Sequence, residues 1–162
     1  MKRFGLALMV SLALAMLGCG GGGSTIPADT LKGSWTAGLM NSDGTLALGF
    51  TVALTQTGQN IGVSSVDFVP SSSCFAPGMT ALASLTSVTT THGVTSGSFQ
   101  MTIQSGPTNV NGDNTLILQG SLVRTSISGT WGLTGTGIQC SDTLKTMSGN
   151  FSMLQQQVTG MN

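Results

Sequence analysis

Tyrosine and glutamate do not occur in this 162-residue chain, histidine occurs once, and charged residues make up only 6% of it. An ordinary globular chain carries about 25% charged residues, so each gap excludes something. Five Lys and Arg stand against five acidic residues, all Asp, for a formal net charge of zero. That leaves no basic stripe to neutralise phosphates, and no nucleic-acid partner is expected. Without Glu, a catalytic carboxylate pair must come from five scattered Asp, none spaced so as to hold two together. The lone imidazole, His92, sits in the turn-like stretch Thr91-His92-Gly93, and no Gly-x-Ser-x-Gly elbow accompanies it. The chain reads as a non-enzyme with no cofactor.

What is present is glycine, at 24 residues, and a 40% hydrophobic fraction that is too high for a low-hydropathy disordered segment. The first apolar run, Phe4 to Leu17, follows Lys2 and Arg3. It falls short of the roughly 20 residues needed to cross a bilayer and reads as a signal peptide. It ends in Ala15-Met16-Leu17-Gly18-Cys19, followed by four glycines and Ser24. This junction resembles the lipobox of bacterial lipoproteins, although Met16 and Leu17 depart from the family's usual Leu followed by a small residue. The resemblance implies cleavage after Gly18, a lipid on the Cys19 sulfur and a palmitate-type acyl chain on the new amino terminus. Such a doubly acylated end attaches stably to a membrane. Gly20, standing where an Asp would retain the protein, implies onward transport to an outer membrane. The alternative is a plain secretory leader. The expected organisation is a signal peptide over 1–18, a lipidated Cys and Gly-rich tether over 19–30, a single domain over 31–158 and a short tail over 159–162, in a bacterial cell envelope.

With Cys19 assigned to lipid, Cys74 and Cys140 remain as an even pair in an oxidising compartment, and a disulfide is the simplest reading. In the chain-entropy model it would stabilise by roughly 4 kcal/mol. Free thiols or a metal site are the alternatives. One His and no Cys-x-x-Cys make metal ligation improbable, and no metal is expected.

From Leu31 onward the hydrophobic period is two. Leu46, Leu48, Phe50, Val52 and Leu54 alternate with small or hydroxylated residues, and the pattern returns around Trp35, Phe99, Leu116, Trp131 and Phe151. Turn chemistry separates these runs at Asn41-Ser42-Asp43-Gly44, Thr57-Gly58-Gln59-Asn60, His92-Gly93 and Asn111-Gly112-Asp113-Asn114. A phase change across Ser64-Ser65 predicts a bulge. Met79 to Thr90 is read as a strand, with a short helical turn as the alternative. About eight strands result, predicting an all-β, antiparallel up-and-down β-barrel, with a two-sheet β-sandwich as the alternative. Closure would remove edges that a nearly charge-free chain cannot guard. A transmembrane barrel would want aromatic girdles, whereas Trp35, Phe50, Phe99, Trp131 and Phe151 all fall on the predicted inner face.

A small unit recurs as Gly33-Ser34-Trp35, Gly129-Thr130-Trp131 and Gly149-Asn150-Phe151, with Gly97-Ser98-Phe99 as a further copy. Glycine there lets a strand coil or a ring lie across the missing side chain. Gly33-Ser34-Trp35 on the first strand resembles the Gly-x-Trp signature of calycin barrels, the lipocalin and avidin type. That resemblance implies a carrier holding a small apolar ligand inside the barrel, among the five rings named above. The reading preferred from the residues is a membrane-anchored envelope lipoprotein with a structural or interaction barrel, its Ser/Thr/Gln surface facing an envelope protein or glycan partner. The calycin-like carrier is the alternative, since an eight-stranded barrel is just wide enough either to fill itself or to hold one ligand.

Overall fold

The computed structural model describes residues 26–27, 30–69, 74–75, 78–106, 113–135 and 143–157. Eight strands run in chain order: β1 (Gly33–Met40), β2 (Leu46–Thr57), β3 (Asn60–Phe68), β4 (Thr80–Thr91), β5 (Val94–Gln104), β6 (Asn114–Val123), β7 (Ser126–Gly135) and β8 (Ser148–Gln155). They form one antiparallel sheet in the order β3-β2-β1-β8-β7-β6-β5-β4, an up-and-down barrel that is nearly closed. The period of two built these strands: each presents Leu, Val, Ile, Met or a ring inward and Thr, Ser or Gln outward.

First and last strands pair over Trp35↔Gln155 to Met40↔Asn150, so the meander joins its own ends. The remaining seam lies between β3 and β4, which approach each other without a hydrogen-bonded ladder. Closure therefore removes every edge except this pair. Both edge strands carry a bulge, a device that discourages pairing with foreign strands. In β3 it falls at Ser64, between Val63↔Leu54 and Ser65↔Ala53, at the predicted phase change, and the Ser64 hydroxyl donates to the Ala53 carbonyl at 3.1 Å. In β4 it falls between Thr86 and Thr89, where Ser87 has φ 52°. This bulge explains the ambiguous spacing around Met79 to Thr90. Leu82 points outward, 75% exposed, while Leu85 and Val88, three apart, both turn inward.

The two ends differ. At one end β2–β3, β4–β5 and β6–β7 are joined by two-residue turns, Gly58-Gln59, His92-Gly93 and Arg124-Thr125. Positive φ at Gly58, at both His92 and Gly93, and at Arg124 gives each turn the twist that matches its strands. At the opposite end the β1–β2 connection is short and the other three are long.

Candidate functional site

The barrel interior is the first place to seek a site. Trp35, Phe50, Phe99, Trp131 and Phe151 all point into it and are at most 3% exposed. All five belong to one packed hydrophobic core. Trp35 lies near the tight-turn end, its Nε1 donating to the Leu31 carbonyl at 2.9 Å. Trp131 lies toward the opposite end, its Nε1 donating to the Met40 carbonyl at 2.9 Å. Leu39, Leu54, Met101, Leu118 and Ile127 pack in the same core, each at most 2% exposed. Two further rings join the packing, Phe68 of the strand predicted around the Ser64 bulge and Phe75, which the sequence pattern does not single out. Phe68 sits 5.4 Å from Phe50, and Phe75 stacks on Phe68 at 5.0 Å with planes 8° apart.

Described residues pack onto each end. Across the tight-turn end runs the strap leading into β1, with Ile26 6% and Leu31 0% exposed. Two glutamines hold it. The Gln59 side chain accepts from the Ile26 amide at 2.6 Å and donates to its carbonyl at 3.3 Å, while Gln56 accepts from the Leu31 amide at 3.0 Å and donates to the Pro27 carbonyl at 2.7 Å. Strap backbone that would otherwise lose water is thus bonded at Ile26, Pro27 and Leu31.

The long-connection end is organised by two buried asparagines that sequence reasoning saw only as turn residues. Asn114, 2% exposed, donates from Nδ2 to the Cys74 carbonyl at 3.0 Å and so holds Cys74 and Phe75, both fully buried, over the core. Asn41, 3% exposed, donates to the Thr143 carbonyl at 2.9 Å and the Thr45 hydroxyl at 3.0 Å. Its Oδ1 accepts from the Lys145 and Thr146 amides at 3.0 and 3.2 Å. One side chain thereby ties the connection before β8 to the β1–β2 turn. Thr143 adds a hydroxyl bond to the Ala47 carbonyl at 2.7 Å. Among the described residues no buried side-chain nitrogen or oxygen is without a partner, so no polar group there waits on a ligand.

Next to Asn41, the Asp43 carboxyl accepts from the Thr45 hydroxyl at 2.5 Å and the Thr45 amide at 2.9 Å, and pairs with Lys145 Nζ at 3.1 Å. These bonds, the Thr45 hydroxyl foremost, hold its pKa down to about 2.

Open depressions mark the described surface. One of about 420 Å³ opens at the long-connection end between Thr80, Gln104, Ser105 and Asp113, and another of about 230 Å³ lies on the outer wall between Ser84, Thr86, Ser98, Gln100 and Gln119. Neither presents an exposed ring. Among the described residues no three of His, Cys, Asp and Glu come together as metal ligands, and His92 stands exposed on its turn at φ 50°. Cys74 is disulfide-bonded. Cys140, the partner expected from the sequence, lies outside the described residues, as do Cys19 and the signal segment.

No helix among the described residues is long and apolar enough to cross a membrane. No family model, curated protein or solved structure matches the chain.

Proposed function

We propose that the chain is a lipid-anchored envelope protein whose barrel is a filled, non-catalytic scaffold for interaction with an envelope protein or glycan. The observation that carries the scaffold reading is the single core of buried side chains that runs from Leu31 and Trp35 at the tight-turn end to Phe75 at the other. A carrier must keep a chamber of the order of 300 Å³ or more and a way into it. Here the calycin-like Trp35 bonds the strap at Leu31, and Phe75 is fully buried against Phe68 toward the opposite end. The anchoring half of the proposal rests on Lys2-Arg3, the apolar run and the Gly18-Cys19 junction. The disulfide is assigned to Cys74 and Cys140, which would join the β3–β4 and β7–β8 connections over the same mouth. Outer-membrane attachment follows from Gly20 in the same reading.

The test is incorporation of labelled palmitate by the full chain and its Cys19→Ser variant in a bacterial host. Label on the wild type, and none on the variant, supports the anchor. A wild-type chain released unlabelled into the periplasm or medium refutes it.

A further inference from the structure

We propose that the tight-turn end of the barrel is a docking face for an anionic phospholipid surface. The anchor proposed above brings this end to the bilayer, and the docking then fixes the orientation of the domain. Three observations combine.

The chain preceding Ile26 departs from this end, because Gln59, on the β2–β3 turn, grips the Ile26 peptide on both sides. Six residues separate Cys19 from Ile26. A glycine-rich segment of that length reaches roughly 15 Å, so an acylated Cys19 keeps this end, not the other, beside the headgroups.

The same end presents apolar and cationic side chains together. Val123 and Leu154 are 52% and 59% exposed and lie in one row across the outer wall, in the register Val123↔Ser126↔Leu154. Arg124 projects from the turn between β6 and β7, its amide bonded to the Thr95 carbonyl at 2.9 Å. Apolar side chains bordered by a cationic one are the composition that lies stably in a headgroup layer.

Charge decides between the ends. Met40, Leu46, Val69 and Leu82 are exposed toward the far end, but every described carboxylate, Asp43, Asp67 and Asp113, is found there as well, against the single cation Lys145 paired with Asp43. Asp29 lies outside the described residues. An anionic surface attracts Arg124 and repels the far end over a screening length of about 10 Å, comparable with the roughly 15 Å reach of the tether.

The two tryptophans of the chain mark the two ends and make the test. Full-length chains with Trp131→Phe, leaving Trp35, and with Trp35→Phe, leaving Trp131, are placed on phosphatidylglycerol vesicles carrying a nitroxide on a fraction of the headgroups. Trp35 fluorescence is expected to be quenched at least twofold more than that of Trp131. The difference should shrink on phosphatidylcholine vesicles and with Arg124→Glu combined with Leu154→Ser. Equal quenching, or stronger quenching of Trp131, overturns the proposal. The mass at Cys19, read on the same samples, separates the two claims. A lipidated chain with equal quenching keeps the anchor and loses the docking face. An unlipidated chain with selective quenching of Trp35 does the reverse, and an unlipidated chain with no quenching loses both. Should a tryptophan variant fail to fold, hydrogen exchange of the wild-type chain serves instead. Vesicles should protect residues 123–126 and 154–156 and leave 41–45 unchanged, and the opposite pattern overturns the proposal.

Discussion

Trp131 lies across Gly149, its cross-strand partner, and a methyl group placed on that glycine would fall 2.9 Å from the indole Nε1 and 1.9 Å from the Met40 carbonyl oxygen that the indole bonds. Two positions away the relation is reversed, with Gly129 opposite Phe151. The ring of Phe151 reaches on over Gly120, where a methyl would come within 3.1 Å of it. The repeated Gly-x-aromatic unit is thus a reciprocal lock between β7 and β8. Gly149→Ala is expected to destabilise the barrel by about 3 kcal/mol, a melting shift of roughly 10 °C for a domain of this size. A shift under about 2 °C in thermal unfolding would contradict the lock.

Arg124 occupies the first position of a two-residue turn at φ 60°, a place that favours glycine. Left-handed strain in a non-glycine residue costs about 1–2 kcal/mol, part of which glycine returns as backbone entropy. Arg124→Gly should therefore raise stability by about 0.5 kcal/mol in denaturant unfolding while weakening the preference for anionic vesicles. A loss of more than about 1 kcal/mol would mean that the arginine side chain itself holds the turn.

Asn41 serves two connections through one buried amide. Asn41→Ala strands the Lys145 and Thr146 amides and the Thr143 carbonyl. A cost of about 2–4 kcal/mol is expected, since buried groups left unpaired lose their full desolvation energy. Hydrogen exchange should quicken at residues 143–147 well before β5 or β6. Uniform exchange across the barrel would show that the connection is not held locally.

The pH dependence follows from Asp43. Its folded pKa, about 2, lies below the ordinary 3.8, so its contribution is present above about pH 4 and is lost as the pH falls toward 2. Asp43→Asn should be less stable than wild type at pH 7, and the gap should close by pH 2. Salt should reduce the Lys145 part, because that pair is half exposed. A constant gap from pH 7 to pH 2 would remove the carboxylate from the account.

Strand positions, the bulge at Ser64 and the inward aim of the five rings were legible because a pleated strand with one wet face leaves a period of two in the sequence. The seam was not legible. Nothing in β3 or β4 says that β1 will pair β8 and leave these two edges apart. Phe75 and the two asparagines were missed for a different reason. Asn41 stands in a turn motif that serves the hairpin equally well when exposed, and only the return of Thr143 and Lys145 from a hundred residues downstream turns it into a buried hub. Phe75 belongs to a connection without periodicity, where burial leaves no local trace.

The most direct measurement is native mass spectrometry of the full chain expressed with its leader in a bacterium and extracted from membranes, compared with its denatured mass. The account predicts a chain beginning at acylated Cys19, two hydrogens light for one disulfide, with the same mass under native and denaturing conditions. A small molecule released on denaturation would contradict the filled scaffold and restore the carrier, and a chain beginning elsewhere without lipid would contradict the anchor.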